Sequence, residues 1–318
     1  LSDCSRKRLC QCCPQIGCGA GRRQCRKGVH LSRRHGGIRL SYGDRIAVWR
    51  NTIHLFHQYN RPKFIGPFKA IRMDYAIEPL LLTKRAEDKT PDIVGSGKSG
   101  WLIVEITLNS GSKEPNLRSY SSIDPRFLAQ HGLETHDTPP DVISSRLSFV
   151  DDGPHCQLIV KDRLEVMKED QVNNKLLKSA LIASRGIDLT RLPSLPFTLL
   201  PEMRANEIRV GLIEIIMQLF KPGCEGKSLK QFMDEGLERL SDSVSINAQR
   251  ILRDKIRTEM DALVKDVLEG YLIFDKAKGV YKSTEKFKQH PKTMERIALK
   301  LRDWAGIGPQ KTLDSFLR

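Results

Sequence analysis

Two apolar runs flank a glycine-rich turn in this chain. Thr90-Pro91-Asp92-Ile93-Val94 leads into Gly95-Ser96-Gly97-Lys98-Ser99-Gly100, and Trp101-Leu102-Ile103-Val104-Glu105-Ile106-Thr107 follows. The pleat of a strand sends Trp101, Ile103, Glu105 and Thr107 to one face and Leu102, Val104, Ile106 and Leu108 to the other. Both faces are apolar around Glu105, which predicts a central strand covered on both sides. Cys156-Gln157-Leu158-Ile159-Val160 predicts another strand. Residues 41–60 read as a helix or mixed segment. Residues 71–82 read as a helix carrying Glu78, with a break at Pro79. A short helix is expected over 112–122 and a longer one over 166–184. Residues 129–156 read as irregular, with turns at Pro139-Pro140 and Asp151-Asp152-Gly153.

The last third of the chain changes character. An apolar helix over 208–220 stops at Pro222-Gly223, and Ser228 caps a second over 229–240. A third covers 246–268, with Ile251, Ile256, Met260, Leu263, Val264 and Val267 at helical spacing. Residues 270–284 read as a hairpin with a basic tip, and a final helix covers 293–304. Three helices and a hairpin look like a winged helix-turn-helix. Pro193, Pro196 and Pro201 punctuate residues 185–205, which predicts a linker there.

Composition adds a partner class. The chain has 318 residues, 39% hydrophobic and 29% charged, with a formal net charge of +15. These values suit globular domains and argue against global disorder. No run nears the ~20 apolar residues a membrane span needs, and the amino terminus shows no apolar signal-peptide core. The expectation is a cytoplasmic protein with no membrane association. Residues 1–39 hold ten Lys/Arg against Asp3 alone, so most of the excess charge sits there. A basic balance of this size suits a polyanion partner, double-stranded DNA above all.

Six of the eight cysteines also fall in that leader. Cys10 and Cys13 with His30 and His35 have nearly the spacing of a two-Cys, two-His finger, and Cys10, Cys13, Cys18 and Cys25 offer a four-thiolate Zn²⁺ knuckle. The aromatic and leucine of a finger's small core are missing. A disordered basic leader over 1–39 is therefore preferred to a zinc site.

Asp92 and Glu105 can converge at the neck of the central hairpin. A glutamate inside a strand is costly to bury unless something positive meets it. Two convergent carboxylates suit Mg²⁺ or Mn²⁺, and a metal so held can activate water against a phosphodiester.

Pro91-Asp92, the hairpin, and Glu105-Ile106-Thr107 resemble the PD-(D/E)XK nuclease superfamily, which includes many restriction endonucleases. Lys113, Leu117 and Tyr120 look like the helix that often follows in that family, and Cys156–Val160 like its next strand. The resemblance covers roughly residues 70–185. It implies an α/β fold, a restriction-endonuclease-like mixed sheet flanked by helices, with Asp92, Glu105 and the main-chain carbonyl of Ile106 as metal ligands. Glu78 resembles the extra acid that some members use. The departure is Thr107, which stands where the family has a lysine. Lys113 is the first candidate for a relocated lysine, ahead of Lys98.

On this reading residues 40–184 form the nuclease-like domain and 206–318 a mainly helical, winged-helix-like DNA-binding domain. Arg250, Arg253, Lys255 and Arg257 on the third helix, and Lys276, Lys278 and Lys282 on the hairpin, would meet DNA. The expected function is a Mg²⁺-dependent DNA endonuclease of restriction or transposition type, acting as a homodimer or with a partner subunit. The rivals are a non-catalytic DNA-binding protein that keeps the fold, a zinc-dependent regulator and an RNA nuclease.

Overall fold

Both strands of the central hairpin are buried along nearly their whole length. The computed structural model describes residues 42–107, 117, 119–151, 153–193, 197–284 and 290–307. The leader with Cys10, Cys13, Cys18 and Cys25, and also Lys113, lie outside the described residues.

In chain order the described elements begin with α1 (Tyr42–His54), β1 (Gln58–Asn60), β2 (Lys63–Ile65), α2 (Pro67–Ala70) and β3 (Asp74–Ile77). Next come β4 (Leu81–Leu82), β5 (Asp88–Lys89), β6 (Ile93–Gly97), β7 (Gly100–Ile106), β8 (Asp141–Arg146), β9 (Cys156–Val160) and β10 (Leu164–Met167). Then follow α3 (Lys175–Ala183), α4 (Ala205–Gln218), α5 (Leu229–Leu237), α6 (Ile246–Ala262), β11 (Leu272–Asp275), β12 (Val280–Ser283) and α7 (Pro291–Trp304). The protein is mixed α/β, built on a six-stranded sheet of order β10-β9-β8-β7-β6-β3. The β3-β6 and β6-β7 pairs are antiparallel, β7-β8 and β8-β9 are parallel, and β9-β10 is antiparallel.

The two faces of β7 separate as its pleat dictates. Leu102, Val104 and Ile106 join Ile143, Leu158, Val160 and α1 residues Val48 and Ile53 in the larger core. Trp101 and Ile103 pack with Val94, Leu117, Tyr120, Ile123 and Leu128 in a smaller core on the opposite face. α1 is fixed by two polar contacts as well: Asn51 Nδ2 donates to the Val160 carbonyl at 2.7 Å, and Thr52 Oγ1 meets Ser145 Oγ at 2.6 Å.

Several expectations change. Gly95 and Gly97 belong to β6 rather than to the turn, which is Lys98-Ser99 with Gly97 paired to Gly100. Glycine is required at 97 by crowding, since a Cβ there would lie 2.7 Å from the Arg72 carbonyl oxygen. Residues 71–82 hold β3 and β4, not a helix. Tyr75, Ala76 and Ile77 pair with β6, and that pairing overrides a helical spacing of apolar residues. The outer edge of β3 is covered by the chain ahead of α6: Ile77 N–H donates to the Ser243 carbonyl at 2.7 Å, and Ser245 N–H to the Ile77 carbonyl at 3.0 Å.

β8 lies within the stretch expected to be irregular. It is the strand after β7, and Cys156–Val160 comes one further on. Its Ser144 and Ser145 are fully buried among other polar groups, so no apolar run advertised it. The helix expected over 166–184 is shorter, because Leu164–Met167 pairs with β9 before α3 begins.

The described residues of the expected linker, 185–193 and 197–205, send side chains into the core. Leu189, Phe197, Leu199, Leu200 and Met203 are buried in the same core as the sheet's Leu102 and the helices' Ile208, Phe232 and Leu252. The three helices and the hairpin of the carboxy-terminal third are present as expected. α6 ends at Ala262 and continues as a π-helical turn over Leu263–Val267. Its buried face carries Leu252 and Ile256, while Ile251 is exposed. No described helix is long and apolar enough to cross a membrane.

Candidate functional site

A row of polar residues crosses the sheet. Ile93 pairs with Val104, so Asp92, one residue beyond, stands across from Glu105. Glu105 pairs with Ser144 on β8, and Ser144 with Gln157 on β9. All four are buried, Asp92 at 7% exposure and Glu105 at 2%. Side chains in register share a face, here the face of the smaller core with Trp101, Ile103 and Tyr120.

Both carboxylates are held by donors. The Ile106 N–H donates to Asp92 Oδ2 at 2.6 Å, taking the place of a ladder bond where β6 ends. The Tyr120 hydroxyl donates to Glu105 Oε1. Burial raises the phenol's pKa above its ordinary value, and the Glu105 charge, the bond to Glu105 and the Asp92 charge push it further the same way. The tyrosine hydroxyl therefore stays protonated and lies within the field of both carboxylates. Tyr120 and Leu117, expected on the next helix, are both buried against β7.

Thr107 is 5% exposed, and its Oγ1 has no hydrogen-bond partner among the described residues; the same holds for Ser144 Oγ. Buried hydroxyls of this kind usually meet ordered water. Arg146 was not singled out from the sequence. It is 3% exposed at the end of β8. The Thr107 N–H donates to the Ser145 carbonyl at 2.9 Å, which carries the β7-β8 pairing past Ile106 and sets Arg146 beside Thr107. The only sequence signal was an arginine closing a Val-Ile-Ser-Ser run.

Glu78 does not join this group. It follows β3 directly rather than sitting on a helix, in a left-handed backbone conformation with φ of 47°. Its N–H donates to the Asp92 carbonyl at 2.9 Å, and its own carbonyl accepts from Ser245 Oγ at 2.6 Å. Its carboxyl accepts from the Glu202 backbone, while its Oε1 is buried without a partner among the described residues. Burial pushes its pKa up to about 8, the Glu202 charge adds to this, and Lys255 opposes it. Among the described residues no three His, Cys, Asp or Glu side chains converge as a metal cage. The donor set suits a hard cation that keeps most of its water and takes few protein ligands. Asp92, Glu105 and the Ile106 carbonyl are the residues present for it.

The basic residues of the carboxy-terminal third divide into two groups. Arg250, Arg253, Arg257, Lys276 and Lys278 are exposed. Lys255 is turned inward: its Nζ donates to the Pro201 carbonyl and, at 3.0 Å, to that of Met203. Lys282 is paired across the hairpin with Asp275 at 2.7 Å. These two are structural ties rather than free cations, because half-burial favours bonding to nearby carbonyls and carboxylates over waiting for a phosphate. Cys156 and Cys224 are free thiols, and burial raises the Cys156 pKa to about 12, so that thiol is inert.

Comparison with protein-family models, with curated proteins and with solved structures finds no match to this chain.

Proposed function

We propose that this chain is a Mg²⁺-dependent DNA endonuclease. The observation that carries the reading is the pairing of Asp92 with Glu105 across the β6-β7 hairpin, both buried and both near the Tyr120 hydroxyl. The element order supports it: α1, three antiparallel strands, Leu117 and Tyr120 against β7, then the parallel strand β8. That order resembles the core of the PD-(D/E)XK nucleases, a likeness of fold that by itself carries no function.

In this reading Asp92 and Glu105 present carboxylate oxygens, and Ile106 its carbonyl, to a divalent cation. The Tyr120 hydroxyl orients Glu105, and the Ile106 N–H orients Asp92. The Thr107 and Ser144 hydroxyls hold water beside them. The cation, when bound, lowers the pKa of its water and offsets charge on the phosphate. Glu78, which stays protonated to about pH 8, anchors α6 to the sheet instead of serving as a ligand.

α4, α5, α6 and the β11-β12 hairpin follow the order of a winged helix. The exposed Arg250, Arg253 and Arg257 with Lys276 and Lys278 suit phosphate contact. A homodimer or partner subunit would supply the second cut on duplex DNA. A restriction-type or transposition-type role in the cytoplasm is the setting we favour.

The test is plasmid cleavage with Mg²⁺ or Mn²⁺ by wild type, Asp92→Ala and Glu105→Ala. The reading expects metal-dependent cutting that is lost in both variants. A second reading, a DNA-binding protein that keeps the fold without the chemistry, is favoured by Thr107 and by the donors that already satisfy both carboxylates. DNA binding unchanged by Mg²⁺, with no cutting in any condition, would select it.

A further inference from the structure

Among the described residues Arg146 is a buried cation beside Thr107, which stands where the resembled nucleases carry a lysine. The β7-β8 register sets it beside Thr107 and one diagonal step from Glu105. It shares a face with both, as its neighbours show: Val142, two pairs of residues back along β8, packs on the smaller core, whereas Ile143 packs on the larger one. Diagonal neighbours in a sheet lie about 7–8 Å apart, within reach of a long side chain. A guanidinium this buried is costly without charge compensation. The hydroxyls of Ser144 and Thr107 lie on that face beside Glu105 and Arg146, without partners among the described residues, which marks a polar, hydrated patch.

We propose that Arg146 supplies the positive charge of the Asp92/Glu105 site, replacing from strand β8 the cation that Thr107 lacks on β7. This rests on the nuclease reading. Hydrolysis forms a bond from water oxygen to phosphorus and breaks the bond from phosphorus to the leaving oxygen. The attacking water gives up a proton to solvent, and the leaving oxygen gains one. Arg146 makes and breaks no bond and keeps its protons throughout. Its charge balances the carboxylate row and offsets the negative charge that builds on the phosphate oxygens.

The test compares wild type, Arg146→Gln, Arg146→Lys and Thr107→Lys/Arg146→Gln, with Asp92→Ala as the control for the nuclease reading. Two readouts are taken on the full chain: single-turnover cleavage of a DNA duplex at saturating Mn²⁺, and Mn²⁺ affinity by calorimetry. Losing the charge should slow Arg146→Gln by about a hundredfold or more. Mn²⁺ binding should tighten several-fold, because a like charge has left the site. Arg146→Lys should hold Mn²⁺ affinity near that of wild type and keep part of the rate, and moving the charge to position 107 should restore part of it. A merely structural arginine would not tighten metal binding, nor be rescued from the next strand. Arg146→Gln that cuts like wild type and binds Mn²⁺ equally overturns the proposal, while loss of cutting in Asp92→Ala leaves the nuclease reading standing. If wild type does not cut, Mn²⁺ affinity decides: tighter binding in Arg146→Gln supports the role, and unchanged or absent binding overturns it. Should Arg146→Gln fail to fold, a marked change of Mn²⁺ affinity in the charge-conserving Arg146→Lys overturns it instead.

Discussion

The sheet and the carboxy-terminal helices place their chemistry oppositely. On the sheet the polar side chains point inward: Asp92, Glu105, Thr107, Ser144 and Arg146 are all buried. On the helices and hairpin the cations Arg250, Arg253, Arg257, Lys276 and Lys278 are exposed. A buried polar group must have its partners built around it, so each change on the sheet face is felt by its neighbours. An exposed arginine is solvated, and its loss is felt only by whatever binds it. The two regions nevertheless share one core, and Glu78 joins them.

The largest effect should come where the regions meet. Leu199 is fully buried and packs on Gly236 of α5, where an added Cβ would lie 2.3 Å from the leucine side chain. Leu199→Ala should cost about 2–5 kcal/mol in urea denaturation. A loss below about 0.5 kcal/mol, as for a surface site, would restore a tethered linker and separate the regions.

Next in size is the removal of single buried donors. Tyr120→Phe leaves Glu105 without its hydroxyl and should cost about 1–3 kcal/mol. Lys255→Met, which frees the carbonyls of Pro201 and Met203, should cost a similar amount, about 1–3 kcal/mol. Arg253→Met on the same helix should be neutral to within about 0.5 kcal/mol. Equal effects at 253 and 255 would erase the distinction between inward and outward cations.

Glu78 gives a pH-dependent test. Its pKa is near 8 in the folded chain, against an ordinary value of 4.5. Between these values the folded chain holds a proton that the unfolded chain has released. The contribution is therefore complete below pH 4.5 and is lost as pH rises through 8. Glu78→Gln should flatten that part of the stability profile, by at most about 1.4 kcal/mol per pH unit. Parallel profiles for variant and wild type would mean that Glu78 is ionised in the fold.

The smallest stability effect belongs to the exposed arginines. Replacing Arg250, Arg253 and Arg257 by alanine should change folding by less than about 0.5 kcal/mol each. DNA affinity should fall, with the salt slope reduced by about one for each lost phosphate contact. An unchanged slope would mean that this face meets no phosphate.

The sequence made the hairpin legible because a two-faced apolar run has few alternatives: its faces and the Asp92–Glu105 pairing follow from period and register, whereas Tyr120 came in only through the resemblance. The helices of the last third were legible through their caps and their spacing. β3 was hidden because a short edge strand containing Ala76 and Ile77 also fits a helical period. β8 was hidden because its buried serines look like surface residues until their neighbours across the sheet are known, and Arg146 was hidden with it. The burial of Leu189, Phe197, Leu199, Leu200 and Met203 depends on helices distant in sequence, and prolines there suggested a tether instead. Lys255 looked like its neighbours Arg253 and Arg257 because helical phase alone does not show which carbonyls lie nearby.

The most direct test of the central claim, that Asp92 and Glu105 together hold a divalent cation, is a calorimetric Mg²⁺ titration of wild type against Glu105→Gln, which keeps the shape of the side chain. The account predicts saturable binding in wild type, weakened by at least about tenfold in the variant. Equal affinity in both proteins would contradict it.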